Sequence, residues 1–158
     1  MDIAAGRFYA MTLASLAVAL VACGTARPMP DFNSFAHRVT DNVVVLYWTC
    51  SRPAPGVVQV AGVANNPYSP GPIQDLEFRI YGVSAQSSNA SRARGSAQAF
   101  LIYTNEPSPF KIDLKSVGGE AQYNMVYSYM IPIEGREALV TGGERQGYAA
   151  NICAGLAP

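Results

Sequence analysis

The chain has 158 residues, with 11 Lys plus Arg against 11 Asp plus Glu, so its formal net charge is zero. A balanced charge carries no polyanion footprint and argues against nucleic acid as a partner. Apolar residues make up 49% and charged ones 14%, the composition of one packed domain rather than of a disordered chain.

The first element in chain order is a targeting segment. Arg7 precedes an apolar run from Leu13 to Ala22 that is interrupted by Ser15. The run falls short of the roughly 20 apolar residues a spanning helix needs. With a basic residue before it and small residues at its end, it reads as the core of a signal peptide. It closes on Leu20-Val21-Ala22-Cys23-Gly24, which resembles the bacterial lipobox: a Leu, a small residue before the cut, then the cysteine. The resemblance implies cleavage after Ala22, diacylglycerol on the Cys23 thiol, and a membrane as partner through that lipid anchor. Two or three acyl chains hold durably where one is marginal. Gly24 stands where an Asp would favour retention in the inner membrane, which implies an outer-membrane site facing the periplasm in a Gram-negative source. Residues 23–40 contain Pro28, Pro30, Asn33 and Ser34 without a strong period and read as a lipidated tether. The divisions expected are therefore a signal peptide at 1–22, a tether at 23–40 and a folded domain at 41–158.

From Asn42 onward, short apolar runs alternate with clusters of Gly, Pro, Asn and Ser. Val43–Cys50 and Val57–Val63 are the first two predicted strands. In Ile73–Val83, Leu76, Phe78 and Ile80 alternate with Glu77, Arg79 and Tyr81, the period of a half-buried strand. Ser84–Ser96 reads as an exposed loop or weak edge strand, and Ala99–Tyr103 as a short strand. Phe110, Ile112 and Leu114 alternate with Lys111, Asp113 and Lys115, and a turn at residues 117–120 leads into Gln122–Ile133. Tyr148–Cys153 is a candidate last strand. Many short strands with no amphipathic helix among them predict an all-β, antiparallel sandwich, with Phe78, Ile80, Phe110, Ile112 and Trp48 inside.

The stretch Val57–Tyr129 resembles the FxLYD-type immunoglobulin-like β-sandwich of bacterial and archaeal surface proteins. Gly62-Val63-Ala64-Asn65-Asn66 fits its first motif and Phe78-Arg79-Ile80-Tyr81-Gly82 the second, with Ile for Leu and Gly for Asp. Residues 106–112 fit the third, a Pro-containing approach to a Phe strand. The resemblance implies an immunoglobulin-like fold and an accessory or binding module, and it implies no reaction.

Residues able to carry chemistry are few. The one histidine, His37, falls in the expected tether and reads as a solvated linker residue. One His and no cysteine cluster argue against a zinc site, and no cofactor motif is present. Cys50 and Cys153 remain after Cys23 is lipidated, an even number in an exported chain, and pairing is the default there. Asp75 and Glu77 lie two apart on one strand face; they read as solvated charges answered by Lys111 and Lys115 on a neighbouring strand. Glu134, Glu137 and Glu144 read as loop charges. Tyr123, Tyr127 and Tyr129 could form a stacking platform, but the interleaved Met125 favours a core face. Arg92 and Arg94 mark the stretch to watch for a partner. These readings point to a non-enzymatic, membrane-anchored envelope module that binds a protein or glycan or supports an assembly. A small-ligand carrier is the alternative, with a hydrolase using carboxylate chemistry in third place.

Overall fold

The structure, a computed structural model, describes residues 29–69, 71–85, 90–132 and 143–156. The signal peptide, Cys23, Glu134 and Glu137 lie outside the described residues. Among the described residues there are, in chain order, one 3-10 turn (Phe32–Ser34) and nine strands: β1 His37–Thr40, β2 Val45–Ala54, β3 Val57–Asn65, β4 Ile73–Ser84, β5 Ser91–Ser96, β6 Leu101–Ile102, β7 Ser108–Lys115, β8 Glu120–Ile131 and β9 Gly143–Ala149. One sheet has the order β1-β2-β3-β7; the other has β5-β4-β8-β9, with the short β6 also paired to β4. Every strand pair is antiparallel.

This strand order is that of an immunoglobulin-like sandwich. β2, β3 and β7 take the places of strands A, B and E, and β4, β8 and β9 those of C, F and G. β5 lies beside the C position, and β1 is an added edge strand outside A.

The period of two read from the sequence decides which side chains meet between the sheets. In β7 every second residue is buried, which puts Phe110, Ile112 and Leu114 inside and Lys111, Asp113 and Lys115 in water. Phe78 and Ile80 face them from β4, and the Phe78 and Phe110 rings lie 4.4 Å apart across the interlayer. Leu46, Trp48, Val58, Val60 and Met125 complete the middle of the core. In β4 the alternation slips once. Asp75 adopts φ 53° and the register with β8 shifts between Gln74 and Glu77, so Ile73 and Leu76 are both buried although they lie three apart. Such a bulge adds one residue to one strand and re-aims the side chains beyond it.

Three expectations need correction. The tether does not extend to residue 40: His37–Thr40 form β1, hydrogen-bonded to β2 in the register His37 to Trp48 through Thr40 to Val45. Ahead of it, Phe32 packs on Tyr47 with ring centroids 4.6 Å apart, so the chain is ordered against the sandwich well before Asn42. Asp75 and Glu77 are not answered by Lys111 and Lys115, because β7 pairs with β3 in the opposite sheet. The last strand is β9, starting at Gly143 and carrying Glu144, and residues 151–155 form turns rather than strand.

Candidate functional site

A sandwich has two seams where the edges of its sheets approach, and here they differ. On one side β5 and β7 close together. The Gln98 amide donates to the Pro109 carbonyl at 2.8 Å, and Gly95 leaves room for Ile112, since a Cβ there would come 2.7 Å from Ile112 Cγ1. On the other side the edges are β1 and β9, and no hydrogen bond joins them among the described residues.

The composition of β9 explains the gap. Its register with β8 sets Gly143, Arg145, Gly147 and Ala149 opposite Ile131, Tyr129, Tyr127 and Met125, on the inward face. Three of these four inward residues have no side chain beyond a methyl group. At Gly147 the ring of Tyr127 occupies the space a Cβ would need. The seam is therefore floored by aromatics reaching across from β8 and β2, with Arg145 as the one long inward side chain of its outer wall.

The upper half of the seam is a cavity of about 190 Å³ between the β1–β2 turn and β9, lined by Asp41, Asn42, Tyr129, Ile131 and Arg145 among others. The Asp41 carboxylate accepts from the Asn42 amide at 2.7 Å and from the Tyr129 hydroxyl at 2.9 Å. Burial and then this bond to Asp41 push the Tyr129 phenol above its usual range. Burial and the charge of Asp41 push Tyr127 up to about 12. Both phenols stay protonated at neutral pH, and that of Tyr129 donates to Asp41. Arg145 is exposed at the rim and has no carboxylate within ion-pair distance among the described residues.

The lower half is a groove of about 540 Å³ between residues 36–39 on one wall and 148–152 on the other, with Trp48 beneath. His37 stacks on Trp48 at 5.6 Å between centroids, and burial lowers its pKa. The sequence reading of His37 as a solvated linker residue is thus overturned: β1 carries it into the groove. Trp48 Nε1 donates to the Ile152 carbonyl at 2.7 Å. Cys50 and Cys153 form the expected disulfide, with Cα atoms 5.4 Å apart. Indole and disulfide together fasten the C-terminal turn to β2 and make it a fixed wall. Tyr148, 58% exposed, stands at the groove's outer lip.

The remaining candidates fall elsewhere. Arg92 and Arg94 lie on β5, opposite Tyr81 and Arg79 on the outer face of the second sheet. Directly opposed like charges such as Arg79 and Arg94 are unfavourable. They form a basic stripe remote from the seam. Tyr123, Tyr127 and Tyr129 are buried in the core, as Met125 among them indicates. Asp75 and Glu77 are exposed on either side of the β4 bulge. Among the described residues no three His, Cys, Asp or Glu side chains gather as a metal ion would require. Sequence reasoning missed Asp41 and Arg145. The signal for the latter was present in Gly143, Arg145 and Gly147, a period of two small inward residues around a charge.

Fold and site together define an immunoglobulin-like β-sandwich with one seam closed and the other, among the described residues, left open as a groove. Solved structures similar to it include two GAE domains. The GAE domain of yeast GGA1 matches with a TM-score of 0.49 at 10% identity, covering 72% of this chain and 96% of that one. The GAE domain of GGA2p from Saccharomyces cerevisiae matches with a TM-score of 0.45 at 13% identity, covering 72% and 93%. No family model matches the chain, the FxLYD type included, and no curated protein does. The immunoglobulin-like assignment rests on the strand order itself.

Proposed function

We propose that this protein is a non-enzymatic lipoprotein of the cell envelope, held by lipid on Cys23, whose sandwich binds an envelope partner through the open seam. Gly24 supports an outer-membrane site facing the periplasm in a Gram-negative source. The binding reading is supported by one observation above the others: the β1/β9 seam is left open while its walls are fixed by the Asp41 to Tyr129 bond, the Trp48 to Ile152 bond and the Cys50–Cys153 disulfide. A concave site on a rigid scaffold, with a few polar groups placed in it, is the usual form of a binding site. The anchor is supported by the residue pattern from Leu13 to Gly24.

Two measurements test the two halves of this reading. A Cys23→Ser variant should leave the membrane fraction; retention there at the normal mature mass overturns the anchor. A photo-cross-linking side chain in place of Tyr148, at the seam, should yield a discrete adduct in envelopes, while the same group in place of Lys115 on β7 should not. Absence of an adduct from position 148 overturns the seam as the binding site.

A further inference from the structure

We infer that the seam receives an extended polypeptide segment of the partner, which adds to β9 as a further strand and places an acidic side chain against Arg145. This deepens the proposed function and rests on it, since it names the occupant of the same groove. Among the described residues β9 is the end strand of its sheet and has β8 as its one neighbour. Its outer edge therefore offers main-chain donors and acceptors at the spacing of a strand, a pattern that another extended backbone matches and a sugar or acyl chain does not. Of the two edges bordering the groove, β9 has 7 residues and β1 has 4, so β9 supplies the longer template.

The side chains select among polypeptides. An added strand on β9 carries its inward residues over the seam floor, with open space beside Gly143 and the Tyr127 ring packed against Gly147. Arg145 is the charge those residues meet. Asp41, the acid lining the same cavity, accepts from Asn42 and Tyr129 and makes no ion pair with the guanidinium. An arginine facing inward on an edge strand normally protects that edge from random pairing. The same group becomes a selector when the incoming strand brings a carboxylate to the matching position, because the planar fork of a guanidinium pairs with a carboxylate through two bonds. Farther along the strand, the exposed ring of Tyr148 at the groove's lip offers a face on which an aromatic or apolar side chain of the added strand can pack.

The test uses the mature domain with its disulfide intact and a phage-displayed library of random peptides 7 residues long, the length of β9. Selected peptides should carry an acidic residue with an apolar one beyond it. The tightest of them, made synthetically, should protect β9 amides from hydrogen exchange. N-methylation of alternate amides on its β9-facing edge should weaken it by about tenfold or more, as should Arg145→Glu, whereas Arg145→Lys, which keeps the charge and loses the fork, should fall between the two. Arg145 is exposed, so these variants keep the fold, and circular dichroism verifies it. Failure to select a peptide, binding indifferent to N-methylation, or protection confined to another strand each overturns strand addition. If that happens while the cross-link from position 148 persists, the seam still binds and its occupant is not a strand.

Discussion

Glu120 sits where β7 turns into β8, after Gly118 and Gly119, both at positive φ where a side chain would be strained. Burial alone would raise its pKa. Hydrogen bonds from the Ser116 hydroxyl at 2.7 Å and the Val117 amide at 2.8 Å outweigh that and bring it from 4.5 to about 2. A carboxyl with a depressed folded pKa contributes stability that is complete above its unfolded value and fades as pH falls toward the folded one. The difference in melting temperature between the protein and Glu120→Gln should therefore be full at neutral pH. It should shrink as pH falls below 4.5 and be nearly gone at about 2. A difference independent of pH across that window would show that the turn is held by its glycines and not by the carboxylate. His37 acts in the same direction at a higher pH: its folded pKa lies below 6.5 because burial disfavours the cation, so the folded state loses stability on acidification from there.

Among the elements, the strands with strict alternation were legible in the sequence and the edges were not. β7 and most of β4 announce their buried residues by period alone. β1 does not, because four residues between a Pro-rich approach and a turn carry too little pattern, and its ladder to β2 is a tertiary fact. The bulge at Asp75 was hidden for a related reason: an Asp in the left-handed region is permitted by its short side chain but not advertised by it. The disulfide came from cysteine arithmetic, whereas the seam it stiffens required knowing which strands are neighbours. That pairing has an element-level consequence. Chain-entropy reasoning assigns about 4.7 kcal/mol to closing a loop of about 100 residues, an upper guide for this one. Treatment with a thiol reductant should first free the C-terminal turn, seen as loss of exchange protection at Ile152, whose amide donates to the Tyr123 carbonyl, while β4 and β8 remain protected. Equal loss of protection throughout would mean the turn is not a separable unit.

At the scale of the whole molecule, the chain is neutral but its charge is not evenly spread, with Arg79, Arg92 and Arg94 on the outer face of one sheet and the groove between the opposite edges. The Cys50–Cys153 bond spans 103 residues and so encloses almost every strand except β1 and the first half of β2. Consider the proposed anchor at one end and a partner seated on β9 at the other, with tension between them. Load entering from the N-terminus would peel β1 from β2 one bond at a time, then meet a covalent link at Cys50 that passes it directly to the C-terminal turn beside the groove. The interior strands would bear none of it. In single-molecule extension from its two ends, the oxidised protein should lengthen only by the segments outside the link. The reduced one should release a further contour of roughly 340 Å, at about 3.3 Å for each enclosed residue. The bond would thus make a domain of ordinary stability into an inextensible tie between a membrane and whatever it holds.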